Sequence, residues 1–253
     1  MTALIRQATT AAISYSNAED RQEVRDRLVA ILATGLRDAM PGSDHQVAYA
    51  NGLATAATTD AADLLKGWLS GEEVPEGLSI DQGMRWRLVT ALARVGRVGE
   101  DEIAAELQRD NTISGSEQAA GARAAMPTAQ AKQAAWQRAT TDDSVPNETY
   151  RQLVMQFIQP DQTEVLSPYV DPYLELCKAI DSHEGQWAKA GHAQVQNALM
   201  WLFPSTEVID AAWLNKLEGW VSDNDPGSTV RRVLAERADN ARRILRCQEA
   251  SRG

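Results

Sequence analysis

Apolar residues recur at helical spacing along almost the whole chain, and the pattern is clearest between Leu64 and Gly96. Leu64, Leu65, Trp68 and Leu69 form a stripe that predicts a helix ending at Ser70, with Gly71 placed for a left-handed C-cap. Glu72 to Gly77 cannot continue that helix, because Pro75 lacks an N–H and Gly77 frees the chain to turn. Ser79, with Gln82 three residues on, fits a capping box. In the helix that follows, Ile80, Met84, Leu88, Ala91, Leu92 and Val95 share one face, while Trp86, Val89 and Ala93 share a second. A helix apolar on two sides must pack against neighbours on both, so this one is expected inside a stack of helices.

The same grammar runs through the rest of the chain. Ser16 to Glu19 reads as a capping box ahead of a helix carrying Val24, Leu28, Leu32 and Leu36, which Met40-Pro41-Gly42 stops. Asp44 is placed to cap the next helix, and Thr58 to Asp60 breaks it. Glu100, Asp101 and Glu102 open a further helix at its positive end. Asp110 to Gly115 reads as a loop, and Glu117 to Ala125 as a small-residue helix that lets a neighbouring axis come close. Met126-Pro127 stops that helix and Thr128 caps its successor. Beyond Asn147, read as a cap, helical stripes cover Tyr150–Ile158, Tyr173–Ile180, Trp187–Trp201 and Thr206–Val221. A last helix begins at Ser228 after the turn Asn224-Asp225-Pro226-Gly227. Short links predict antiparallel neighbours. The expected fold is all-α: an irregular HEAT- or armadillo-like array of about twelve antiparallel helices, in pairs of roughly 40 residues, forming a curved bowl. It is read as one helical-repeat domain over residues 1–253, with 140–147, the most loop-like stretch, as the candidate subdomain break.

Composition narrows the function more than the fold. The net charge of −10 lacks the clustered Lys and Arg that nucleic acid or an anionic membrane would require. Two cysteines, Cys177 and Cys247, make neither a disulfide framework nor a metal cluster. They are expected to be buried thiols in a reducing cytoplasm. Residues 2–14 lack the basic start and apolar core of a signal peptide. No apolar run approaches the roughly 20 residues that span a bilayer.

The chain from Leu65 to Gly96 also carries a specific set of residues: Gly67, Pro75, Gly77-Leu78, Asp81, Arg85-Trp86, Leu92 and Gly96. A second block runs through Ile103, Glu106-Leu107, Asp110, Thr112 and Gly115, then Ala124 to Ala129 with Lys132, Ala135 and Trp136. Further blocks are Pro146-Asn147, Phe157, Gln162, Leu166 with Pro168-Tyr169-Val170, and Leu202-Phe203-Pro204. In this order the blocks resemble the C-terminal helical domain of the aminopeptidase N family of zinc metallopeptidases, of bacterial, actinobacterial type, a domain shared with the endoplasmic-reticulum aminopeptidases. The resemblance implies a non-catalytic wall that covers the active-site cleft and shapes the peptide cavity, and therefore one part of a longer protein. The implied partners are the catalytic domain of the same parent chain and peptide substrates. The implied state is a cytoplasmic monomer, without nucleic acid or membrane. The other reading of the same pattern is a free-standing helical scaffold for a protein partner.

Catalysis in that family needs His-Glu-x-x-His on a helix, two imidazoles on one face gripping zinc while the Glu activates water. The chain has three histidines, His45, His183 and His192. His183-Glu184 begins the pattern, but Trp187 stands where the second histidine belongs. No catalytic or metal-ligating residue is therefore expected here, and no cofactor; zinc is expected in the catalytic domain outside this chain. The loop pairs Glu72-Glu73 and Asp142-Asp143 could attract a peptide amino group, but read better as solvated turns. The seven Trp read as core anchors. Arg85, beside Trp86, is the one candidate peptide-binding residue: its guanidinium could meet a peptide carboxylate, or hold two helices together through an ion pair.

Overall fold

The computed structural model describes residues 1–251, and they are helical throughout, with no strand among them. The α-helices are α1 (Thr2–Thr10), α2 (Arg21–Asp38), α3 (Asp44–Ala56), α4 (Ala62–Ser70), α5 (Gln82–Arg94), α6 (Glu100–Arg109) and α7 (Ile113–Ala125). They continue as α8 (Ala129–Thr141), α9 (Asn147–Met155), the single turn α10 (Thr163–Leu166), α11 (Val170–Asp181), α12 (His192–Trp201), α13 (Ala211–Asn224) and α14 (Ser228–Ala250). The all-α expectation holds. The backbone divides into two compact units, residues 1–115 with the chain end from Cys247, and residues 116–246. The division falls within α7; residues 140–147 lie inside the second unit, as the turn between α8 and α9.

In the first unit α3 is the hub, packing against α1, α2 and α5, while α4 packs on α5. The two-sided apolar pattern of α5 has the expected result: Met84, Trp86, Leu88, Val89, Leu92 and Ala93 are all buried. The last turn of α5 adds a polar tie. Arg94 is buried and donates to Thr55 O at 2.7 Å and Ala57 O at 2.8 Å, at the negative end of α3. Arg25 of α2 donates to the same Ala57 carbonyl at 3.2 Å. Burial, then the nearby Arg25 charge, lowers the Arg94 pKa to about 10. The chain end returns to this unit, where Gln248 Nε2 donates to Ser14 O at 2.7 Å and Asn17 Nδ2 donates to Ser251 O at 3.1 Å.

The second unit is built on an aromatic-rich core. Tyr173, Phe203 and Trp213 meet with ring centroids 5.5–6.3 Å apart, and the Tyr173 hydroxyl donates to Leu199 O at 2.7 Å. Tyr150, Phe157, Cys177, Leu214 and Val233 fill the space around them. α7 is lined by buried alanines (Ala119, Ala120, Ala122, Ala124, Ala125), as its small-residue composition predicts. Trp68, Trp86, Trp187 and Trp213 are buried as expected of core anchors, whereas Trp136, Trp201 and Trp220 are only half-buried.

Several helix starts differ from the sequence reading by a few residues, most of them because another side chain reaches the free N–H groups first. Asp81, rather than Ser79, caps α5, accepting from Met84 N at 2.8 Å. Asn17, rather than Ser16, organises the approach to α2, its Oδ1 accepting from the N–H groups of Glu19 and Asp20 at 2.9 Å each. Ser43, rather than Asp44, caps α3. α7 starts at Ile113, four residues earlier than expected, because the Thr112 hydroxyl accepts from Gly115 N at 3.0 Å. Residues 187–201 are not one helix: a 3₁₀ turn over Gly185–Ala188 precedes α12. Asp210 caps α13, so Thr206 to Ile209 stays outside it. The Gly71 C-cap (φ 87°) and the Thr128 cap stand as read.

Candidate functional site

Arg85, the one candidate binding residue of the sequence, lies at the junction of α4, α5 and α6, with α5 at its centre. α5 presents Arg85 and Trp86 side by side, and both reach α6 or the turn that follows it. Arg85 makes a two-pronged pair with Glu106, Nε to Oε1 at 2.8 Å and Nη2 to Oε2 at 2.6 Å, while Nη1 donates to Leu69 O at 2.9 Å. Gln82 Nε2 donates to the same carboxylate at 3.2 Å, and Arg109 lies 3.6 Å from it. The pair is largely out of solvent, with side-chain exposures of 17% for Arg85 and 6% for Glu106. Of the two roles the sequence allows Arg85, this is the geometry of a helix-to-helix ion pair. Capturing a peptide carboxylate would require the guanidinium to give up this two-pronged pair and leave the buried Glu106 carboxylate with only Gln82 and the more distant Arg109.

Trp86 completes the junction. Its indole N–H donates to Asp110 Oδ2 at 2.7 Å, and the other carboxylate oxygen accepts from the Thr112 hydroxyl at 2.9 Å. Gly115 is required where this turn closes. A Cβ there would lie 2.1 Å from the Asp110 carbonyl oxygen, closer than any side chain tolerates. Arg85, Trp86, Glu106, Asp110, Thr112 and Gly115 therefore form one polar frame, buried at Trp86, Glu106, Asp110 and Gly115.

A second frame closes the end of α7. Lys132 of α8 is fully buried; its Nζ donates to Ala124 O and Phe157 O, both at 2.7 Å, and lies 5.4 Å from the centre of the Phe157 ring. Gln162 Nε2 donates to Ala125 O at 2.9 Å. Two side chains thus satisfy carbonyls that a helix end leaves open. Burial lowers the Lys132 pKa to about 7. Its structural role was not read from the sequence; the available signal was a lone lysine beside the alanine stripe Ala131–Ala135–Ala139.

Residues far apart in sequence thus share a frame in space. The ERAP1-like C-terminal domain profile matches residues 1–243. The chain belongs to the ERAP1-like C-terminal domain family. Aminopeptidase N of Streptomyces lividans is 37% identical over 248 residues, which is 98% of this chain. The chain spans 28% of the length of that relative.

His183 sits at a left-handed position (φ 57°) just past α11, with Nδ1 3.0 Å from Asp181 O, and His192 opens α12. Both are exposed, as is His45. Among the described residues no three His, Cys, Asp or Glu side chains come together in a group that could hold a metal ion. The loop carboxylates are placed as turns: Asp142 accepts from the Ser144 hydroxyl at 2.6 Å and from Ser144 N at 3.0 Å, which holds its pKa low. Glu72 and Glu73 are exposed just past the Gly71 cap. Of the two cysteines, Cys177 is buried as expected, and burial pushes its thiol up to about 12; Cys247 is exposed, because it lies on the outer side of the last turns of α14. No helix among the described residues is long and apolar enough to cross a membrane.

Proposed function

We propose that this chain works as the non-catalytic helical wall of a zinc-dependent aminopeptidase, closing the cleft in which a catalytic domain of the same parent protein removes N-terminal residues from peptides. One observation carries the reading: nearly the whole chain aligns with little more than a quarter of an aminopeptidase N. The buried chemistry agrees with it. Arg85, Glu106, Asp110 and Lys132, the charged residues that would stand out in an active site, are spent on tying helices together. A rigid wall contributes sterically: it excludes bulk water and folded protein while an extended peptide enters. The catalytic zinc and its ligands belong, on this reading, to the remainder of the parent. A reducing cytoplasm suits its unpaired cysteines.

The test is complementation. A Streptomyces aminopeptidase N lacking the matching segment is assayed on aminoacyl reporter amides and on peptides of graded length, with and without the purified chain. Restored turnover or a changed length preference is expected on mixing, with no hydrolysis by the chain alone. Chelator-sensitive turnover by the pure chain would overturn the reading, and so would a stable complex whose activity is the same as that of the truncated enzyme.

A further inference from the structure

The second unit carries an open groove of about 510 Å³ that neither frame uses. It is lined by Trp136 of α8, Trp187 of the 3₁₀ turn, Leu176 and Ala179 of α11 and, at exposed positions of α11, Asp171 and Glu175. The last two stand four residues apart, so both carboxylates lie along one edge of the same helix. Trp136 is half-buried, yet its ring is fixed by Tyr169 at 5.1 Å and Phe157 at 5.7 Å. The indole lines the groove packed against two other rings, which lowers the ordering cost of stacking a ligand on it.

Charge says what the ligand is. None of the residues lining the groove is cationic, and two are anionic. The carboxylates have lysine neighbours outside the lining, Lys216 for Asp171 and Lys178 for Glu175, each at 2.8 Å. All four of those side chains are at least 42% exposed, and exposed pairs of this kind are weak and exchange readily. A flat aromatic wall beside a carboxylate rim suits a guanidinium better than an ammonium, because the planar group can stack on indole while its edge donates to a carboxylate.

We propose that this groove binds an arginine side chain of an extended peptide, the guanidinium stacked on Trp136 and held at its edge by Asp171 and Glu175. That the arginine arrives on a peptide rests on the function proposed above; the slot itself rests on the groove.

The test is calorimetric titration of the whole chain with the blocked pentapeptide Ala-Ala-Arg-Ala-Ala and with its counterpart carrying citrulline, which keeps the shape and removes the charge. The arginine peptide is expected to bind with a Kd on the order of 1 mM or tighter, and the citrulline peptide about tenfold more weakly. The double variant D171N/E175Q, both at exposed positions and checked for an unchanged melting curve, should weaken the arginine peptide about tenfold and leave the citrulline peptide alone. Trp136→Leu should weaken the arginine peptide several-fold. Equal affinity for the two peptides, arginine binding untouched by the double variant, or no heat from the arginine peptide at about 10 mM would each overturn the proposal. A chain that completes a truncated peptidase but shows no arginine preference removes the groove alone. A chain that prefers arginine but leaves the peptidase unchanged removes the wall reading and keeps the groove.

Discussion

Replacing Lys132 with Met asks how the end of α7 is held. The substitution keeps the unbranched stem out to Cε and removes the amine, so Ala124 O and Phe157 O lose their donor inside a site with no exposure. Each orphaned buried carbonyl costs about 1–3 kcal/mol, giving a loss of about 2–6 kcal/mol where the amine is neutral. A neutral amine has two N–H groups, which match the two carbonyls. The pH dependence is the sharper part. An unfolded lysine releases its proton near 10.4, whereas burial lowers the folded value to about 7. Between these values the unfolded chain holds more protons than the folded one, so wild-type stability rises with pH across that window, and the penalty is fully present below pH 7. From pH 7 to pH 9 the rise from this residue is about 2 kcal/mol. Lys132→Met lacks that term. Urea unfolding followed by circular dichroism at several pH values between 6 and 9.5 should show the two stability curves diverging by that amount. Parallel curves would mean that Lys132 keeps its charge on folding, and the argument from burial would fail.

Other perturbations address the first frame and the thiols. Glu106→Gln leaves the Arg85 guanidinium largely buried without its counter-charge, and is expected to destabilise the chain by about 3–5 kcal/mol in chemical denaturation. Gly115→Ala forces a methyl group against the Asp110 carbonyl and should lower stability by about 1–3 kcal/mol or more, with the loss read as a fall in the midpoint of thermal unfolding. Cys247 should react with a thiol reagent at neutral pH in the native protein, whereas Cys177, buried with its thiol pushed up to about 12, should react only on unfolding. Equal labelling rates for the two would contradict the assigned burial.

Periodicity alone determined the all-helical class, the Gly71 cap, the Thr128 cap and the inner position of α5, because each depends on residues within a turn or two of one another. It placed Trp68, Trp86, Trp187 and Trp213 correctly for the same reason. It erred at the starts of α2, α3, α5, α7 and α13, where several capping side chains lie within reach and backbone geometry chooses among them. What only the tertiary structure decided is where charge goes. Arg85 and Glu106 stand 21 residues apart, and Lys132 and Phe157 stand 25 apart. No local pattern says that they meet, because a helix pattern states which face is buried and not which neighbour buries it. The same holds for the groove: Trp136 and Trp187 read identically as core residues in sequence, and only the tertiary placement of α8 and α11 about the 3₁₀ turn leaves one of them half open beside two carboxylates.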